Sequence, residues 1–99
     1  MATGRNAARQ ELTHMARVTM YGTAYCPFCH MAEQLLKVKG ATVDRIRVDL
    51  EPERRAEMVT RTGRRTVPQI YIGEFHVGGY EDLAALERAG RLEPLVGAE

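Results

Sequence analysis

Val18-Thr19-Met20-Tyr21-Gly22-Thr23-Ala24-Tyr25-Cys26-Pro27-Phe28-Cys29 is the stretch whose reading decides the fold. A short apolar run ends in a small, polar loop, and two thiols in C-x-x-C spacing then open a helical pattern. At a strand-to-helix turn, that spacing suits reversible oxidation better than structural work. Cys26 and Cys29 are the only cysteines among the 99 residues, so any sulfur chemistry rests on this pair.

Two other uses of the motif are poorly matched. A structural zinc site takes four ligands, usually from a second cluster. The chain has no second cysteine pair, and His14, His30 and His76 lack H-x₃₋₅-H spacing. Cys26-Pro27-Phe28-Cys29-His30 also fits C-x-x-C-H haem attachment, which would need export and a second axial ligand. The chain opens with no secretory n-region and h-region. No metal is expected.

Length and composition describe one soluble domain, 44% apolar and 27% charged, with a modest core. A formal charge of +1 gives no general reason to expect nucleic acid or membrane binding. No apolar run reaches transmembrane length. A reducing compartment, the cytoplasm, is expected, and there disulfides are usually transient and catalytic. The cations are uneven: twelve Arg against two Lys, with five Arg between Arg54 and Arg65. That cluster reads either as a solvated helix and loop or as a receiver for an anionic substrate.

Residues 1–15 are polar and without apolar period, so they read as a flexible tail, leaving 16–99 as the domain. A strand is predicted over about Arg17–Tyr21. A helix follows from Pro27, with Phe28, Met31, Ala32, Leu35 and Leu36 as its buried stripe and Lys37, Lys39 and Gly40 as its end. Val43–Asp49 alternates as a second strand, Glu53–Arg61 is helical, and Val67–Ile72 and Phe75–Val77 form a hairpin over Gly73-Glu74. Glu81–Ala89 is a further helix with Leu83 and Leu86 inward. The order is β-α-β-α-β-β-α, an α/β domain.

With Cys26 at the N-cap, Pro27 suits the first helical position, where its missing N–H would be unpaired in any case. The Cys26 sulfur can accept from backbone N–H groups beyond it, and the helix dipole adds positive potential. Both effects favour thiolate. A stabilised thiolate loses intrinsic nucleophilicity, so its clearer advantage is as a leaving group. Cys29, three residues on and nearer the buried side, reads as the resolving thiol.

The element order, Cys26-Pro27-Phe28-Cys29-His30, Thr66-Val67-Pro68-Gln69-Ile70 and Gly78-Gly79-Tyr80-Glu81-Asp82 together resemble the dithiol (class I, bacterial-type) glutaredoxins. The resemblance runs from about Arg17 to Leu95. It implies the thioredoxin-like fold, a central four-stranded mixed sheet flanked by three or more helices. It implies a glutathione-dependent thiol–disulfide oxidoreductase acting on glutathione-mixed and protein disulfides in redox homeostasis, glutathione being the reducing co-substrate and glutathione reductase an indirect partner. Ribonucleotide reductase is among the protein partners the resemblance implies, and a monomer is expected. Many relatives carry Lys three residues before the first cysteine, where this chain has Thr23. The aromatic residue between the cysteines, often Tyr, is Phe28.

The resemblance also implies a glutathione pocket. Tyr25 and Phe28 would wall the cleft or simply pack. Thr66-Val67-Pro68 would hold a cis Val67–Pro68 bond facing Cys26, with the Val67 backbone pairing to glutathione like an added strand. Proline at a strand start is also tolerated on ladder grounds alone. Gly79, Tyr80 and Glu81 would frame the γ-glutamyl end, and Asp82 would hold its ammonium or cap the helix. With Thr23 unable to supply a cation for the glycyl carboxylate, Arg61, Arg64 and Arg65 are the candidates, Arg61 or Arg65 foremost. His30 reads as a solvated residue. Two alternatives stand beside the enzyme: a redoxin fed by thioredoxin reductase, and a glutathione-ligated [2Fe-2S] scaffold bridging two chains through Cys26.

Overall fold

The computed structural model describes residues 17–96, so the expected tail lies outside the described residues. In chain order the elements are β1 (Val18–Gly22), α1 (Pro27–Val38), β2 (Val43–Arg47), α2 (Pro52–Thr62), β3 (Gln69–Ile72), β4 (Phe75–Gly78), α3 (Tyr80–Arg88) and α4 (Leu92–Leu95). The predicted order is present, followed by one short helix whose single turn is too brief for a periodic signal.

The strands form one mixed sheet in the order β2-β1-β3-β4. β1 and β2 run parallel, which requires a crossover, and α1 supplies it. β3 pairs antiparallel with β1 and then with β4 through the predicted hairpin, where Gly73 takes φ 60. Side-chain alternation divides the sheet into two faces. Val18, Met20, Ile70 and Ile72 pack with Ala32, Leu36, Leu83 and Leu92, which places α1, α3 and α4 on one side. Tyr21 and Tyr71 pack with Val48 and Met58, which places α2 on the other. Full burial of a side chain such as Leu36 or Leu83 contributes about 1.5–3 kcal/mol.

The structure shifts some predicted boundaries for local reasons. β2 stops at Arg47 because the Arg47 guanidinium turns onto Asp49, at 2.8 and 2.7 Å, and the Arg47 carbonyl accepts from Leu50 and Glu51. β3 starts at Gln69 because Pro68 has no N–H for the ladder. The stripe of α1 is also rotated from the predicted one. Cys29, Ala32 and Leu36 are its buried residues, whereas Phe28 and Met31 remain 51% and 45% exposed. Cysteine is small enough to sit against β1, and the larger Phe28 is left at the surface beside Cys26.

Candidate active site

Cys26 is the N-cap of α1 and half-buried, and its Sγ accepts from the Cys29 backbone N–H at 3.4 Å. Pro27 opens the helix, as its fixed φ favours. Both thiols are free, and the two cysteines approach within 3.3 Å. Cys29 is fully buried against β1. A Cβ on Gly22 would stand 3.0 Å from its sulfur, so the close approach depends on that glycine. Burial pushes the Cys29 thiol up to about 11, and the neighbouring Cys26 adds to this; a hydrogen bond from the Thr23 backbone and the Arg45 charge oppose it. One sulfur is therefore presented to solvent while the other is held behind it, within reach.

Two contacts hold the loop before Cys26. Arg45 Nη1 donates to the Thr23 carbonyl at 3.3 Å. The His30 ring nitrogen lies 2.9 Å from the Ala24 carbonyl, so His30 has a loop contact beyond simple solvation.

Beyond Cys26 lies a cleft of about 240 Å³ lined by Phe28, Arg64, Thr66, Val67, Pro68, Gly79, Tyr80, Glu81 and Asp82. The Val67–Pro68 bond is cis, and the Cys26 thiol donates to the Val67 carbonyl at 3.8 Å. Phe28 and Tyr80, with ring centroids 6.1 Å apart, flank the opening. Asp82 accepts from the Gly79 N–H at 2.9 Å, capping α3, and from Arg64 Nη1 at 3.1 Å. These two contacts, the Gly79 N–H first, hold its carboxyl below the usual carboxylate range. Gly78 makes the arrangement possible: it sits at φ 110, where a Cβ would fall 2.3 Å from Asp82 Oδ2.

The structure thus brings Phe28, Thr66, Val67, Pro68, Gly79, Tyr80, Glu81 and Asp82 into one cleft, and its cation is Arg64. Arg61 lies over the Tyr71 ring at 3.7 Å and donates to Tyr21 Oη at 3.1 Å, outside the lining. Arg65 borders a separate groove with Arg55 and Pro52. Thr23 contributes backbone rather than lining, and Tyr25 is 88% exposed. Arg64 carries no sequence signal that separates it from its neighbours. Gly22 and Arg45 carry no sequence signal, because only tertiary packing gives them a role, whereas Gly78 is legible only as half of a glycine pair and not as the residue that makes room for Asp82. Among the described residues, no group of three or more His, Cys, Asp or Glu side chains gathers as metal ligands.

A dithiol at a helix N-terminus, one sulfur exposed and one buried, on a four-stranded mixed sheet with helices on both faces defines a thioredoxin-fold thiol–disulfide oxidoreductase. The comparisons narrow the class. The glutaredoxin family profile matches residues 18–77. A glutaredoxin of Pseudomonas aeruginosa is 54% identical over 84 residues, covering 85% of this chain and 100% of that protein. The solution structure of glutaredoxin from Brucella melitensis is 48% identical, with TM-score 0.75, covering 85% of this chain and 91% of the other. The crystal structure of a buckwheat glutaredoxin–glutathione complex is 29% identical, with TM-score 0.76, covering 92% and 84%. The chain belongs to the glutaredoxin family.

Proposed function

We propose that this glutaredoxin reduces glutathione-mixed disulfides and protein disulfides, using glutathione as electron source, with Cys26 as nucleophile and Cys29 as resolving thiol. One observation carries the reading: the Cys26 sulfur meets the carbonyl of Val67, a residue that lines the cleft, with Cys29 buried behind it.

The Cys26 thiolate attacks the glutathionyl sulfur of a mixed disulfide. Its electron pair forms Cys26–S–S–glutathione, and the substrate sulfur leaves with the old bonding pair and takes up a proton. A second glutathione thiolate then attacks the glutathione sulfur. This releases glutathione disulfide and returns Cys26 as thiolate, which the Cys29 N–H and the helix N-terminus stabilise as leaving group. In the dithiol route Cys29 instead attacks Cys26 of a protein mixed disulfide, closing the 26–29 bridge and expelling the protein thiol; two glutathiones reopen it.

The bound tripeptide lies along Val67, its γ-glutamyl end at Gly79, Tyr80, Glu81 and Asp82, and a carboxylate meets the Arg64 guanidinium. Phe28 and Tyr80 cover its apolar portion. Such an enzyme works as a monomer in a reducing compartment, the cytoplasm, on proteins that present an accessible mixed disulfide. No described helix is long and apolar enough to cross a membrane.

The test is turnover of a small glutathione-mixed disulfide coupled to glutathione reductase, for wild type, Cys26→Ser and Cys29→Ser. Activity lost in the first variant and retained in the second is the expected result. Retention in Cys26→Ser, or no glutathione-driven turnover in wild type, sinks the proposal.

A further inference from the structure

Arg45 stands apart from the other arginines among the described residues. Its side chain, on β2, is only 19% exposed, and its Nη2 meets Glu33 Oε1 on α1 at 2.6 Å. Its Nη1 donates to the Thr23 carbonyl at 3.3 Å, and its Nε is buried with no hydrogen-bond partner among the described residues. An ion pair this far out of water is weak evidence for stability, because desolvation offsets much of the attraction. An orphaned Nε adds a further unfavourable contribution. The placement calls for another reason, and the third partner supplies one. Thr23 directly follows Gly22, the residue packed so closely on Cys29 that an added Cβ would stand 3.0 Å from the Cys29 sulfur.

We propose that Arg45 is a positioning residue for the resolving thiol: its guanidinium fixes the Thr23 peptide against Cys29 and supplies the positive charge beside it when the 26–29 disulfide closes. This rests on the function proposed above and deepens its dithiol branch. Closure needs Cys29 as thiolate. Its proton leaves to solvent, its sulfur attacks Cys26, the Cys26–substrate bond breaks, and the expelled thiolate takes up a proton. Two electrons pass from the cysteines to the substrate disulfide. Burial opposes charge at Cys29, and among the described residues the titratable and charged groups bearing on it are Cys26 and Arg45, with Glu33 paired to the latter. Arg45 is the one cation of that set. It acts through the Thr23 peptide as well as through its own field, which the Glu33 carboxylate partly offsets. Substrates resolved by a second glutathione do not need this device, whereas protein disulfides resolved by Cys29 do.

The experiment follows Cys29 alone, in a Cys26→Ser background, so it does not require the chain to use glutathione; a failure of the proposed function appears separately in the coupled turnover assay. Iodoacetamide alkylation is measured from pH 7 to 11 for this parent and for added Arg45→Met, Arg45→Lys and Glu33→Gln. Arg45→Met is expected to slow alkylation about threefold at fixed pH below the midpoint, moving the profile to higher pH. Arg45→Lys keeps the charge and is expected to recover part of the loss. Glu33→Gln breaks the same ion pair but leaves the cation, so its rate stays level or rises. If Arg45→Met superimposes on the parent, or if Glu33→Gln slows as Arg45→Met does, the proposal is overturned. Should Arg45→Met fail to fold, Glu33→Gln decides alone, a level or faster rate supporting the role and a slower one rejecting it. With both cysteines present, acid-quenched mass measurement of closure from a Cys26 mixed disulfide should show Arg45→Met slowed more in closure than in forming that mixed disulfide.

Discussion

Arg64 Nη1 lies 3.1 Å from Asp82 Oδ2, joining the segment after α2 to the first turn of α3 in the cleft whose lining residue Val67 meets Cys26. The same carboxylate oxygen caps the Gly79 N–H, so one anion orders both a helix start and the cleft's cation. Arg64→Ala is expected to raise the KM for glutathione. A hydrogen bond to a charged group contributes about 1.5–3 kcal/mol when shielded from water. Both side chains of the pair are nearly half exposed, which discounts this to about 1 kcal/mol, or about fivefold. Arg61→Ala and Arg65→Ala, outside the lining, should change KM less than twofold in the coupled assay. A larger effect at either than at Arg64 would relocate the cation.

Gly78→Ala should disturb that pair through its backbone. Its Cβ would fall 2.3 Å from Asp82 Oδ2 at a φ of 110 that side chains rarely adopt. Backbone strain of this kind costs about 1–3 kcal/mol, and Asp82 must also move, so both the urea midpoint and glutathione binding should fall. Gly40→Ala is the control: φ is 88 there, but nothing lies within 4 Å of the added carbon. It should lower stability alone and leave KM unchanged.

The difference between those two glycines shows where sequence reading succeeds and where it stops. Val18–Tyr21, the Pro27 helix and the Gly73-Glu74 hairpin carry local signals of period, capping and turn, and the structure places them within a residue or two of expectation. The cysteines and Pro68 likewise announce themselves by chemistry. Arg64 could not be chosen over Arg61 and Arg65, because all three sit at or just beyond the end of α2 and only the path of that chain decides which faces the cleft. Arg45 alternated with Ile46 as an ordinary solvent-facing strand residue. Its burial depends on Glu33, twelve residues away on another element. Phe28 and Met31 fit the helical period equally well, but the buried stripe is rotated by a fraction of a turn toward the small Cys29, which leaves them at the surface.

Stability should fall in two stages on acidification. Burial, with a smaller contribution from Arg64, depresses His76 below the usual imidazole value, so the unfolded chain binds the proton first. Stability from this source is complete above about pH 6.5 and is lost as pH falls below it. Asp49, held at about 2 by Arg47, and Asp82 and Glu57, also lowered, favour the fold above the unfolded carboxylate range. Their contribution is lost from about pH 4 downward, through about 2 for Asp49. Urea midpoints from pH 7 to 2.5 check the sign. His76→Phe should flatten the first stage and Asp49→Asn the second.

Gln69 offers a test that reverses sign. It is fully buried at the start of β3, where Nε2 donates to the Thr66 carbonyl at 3.0 Å and Oε1 faces the His76 ring nitrogen at 2.9 Å. Because the amide nitrogen is committed to Thr66, Oε1 is the acceptor and neutral His76 carries its proton on Nε2. The chain His76–Gln69–Thr66 thus braces the segment that presents Val67 to Cys26. Gln69→Leu leaves the Thr66 carbonyl and the imidazole unpaired, at about 1–3 kcal/mol, and should raise the KM for glutathione as the segment loosens. Gln69→Glu loses the donor to Thr66 but sets a carboxylate against His76, which raises the folded imidazole value instead of depressing it. A raised value adds stability below the unfolded value, about pH 6.5, and loses it as pH rises. Between pH 7 and 6 wild type should therefore lose stability while Gln69→Glu gains it. Parallel slopes for the two proteins would show that His76 does not face this side chain in solution.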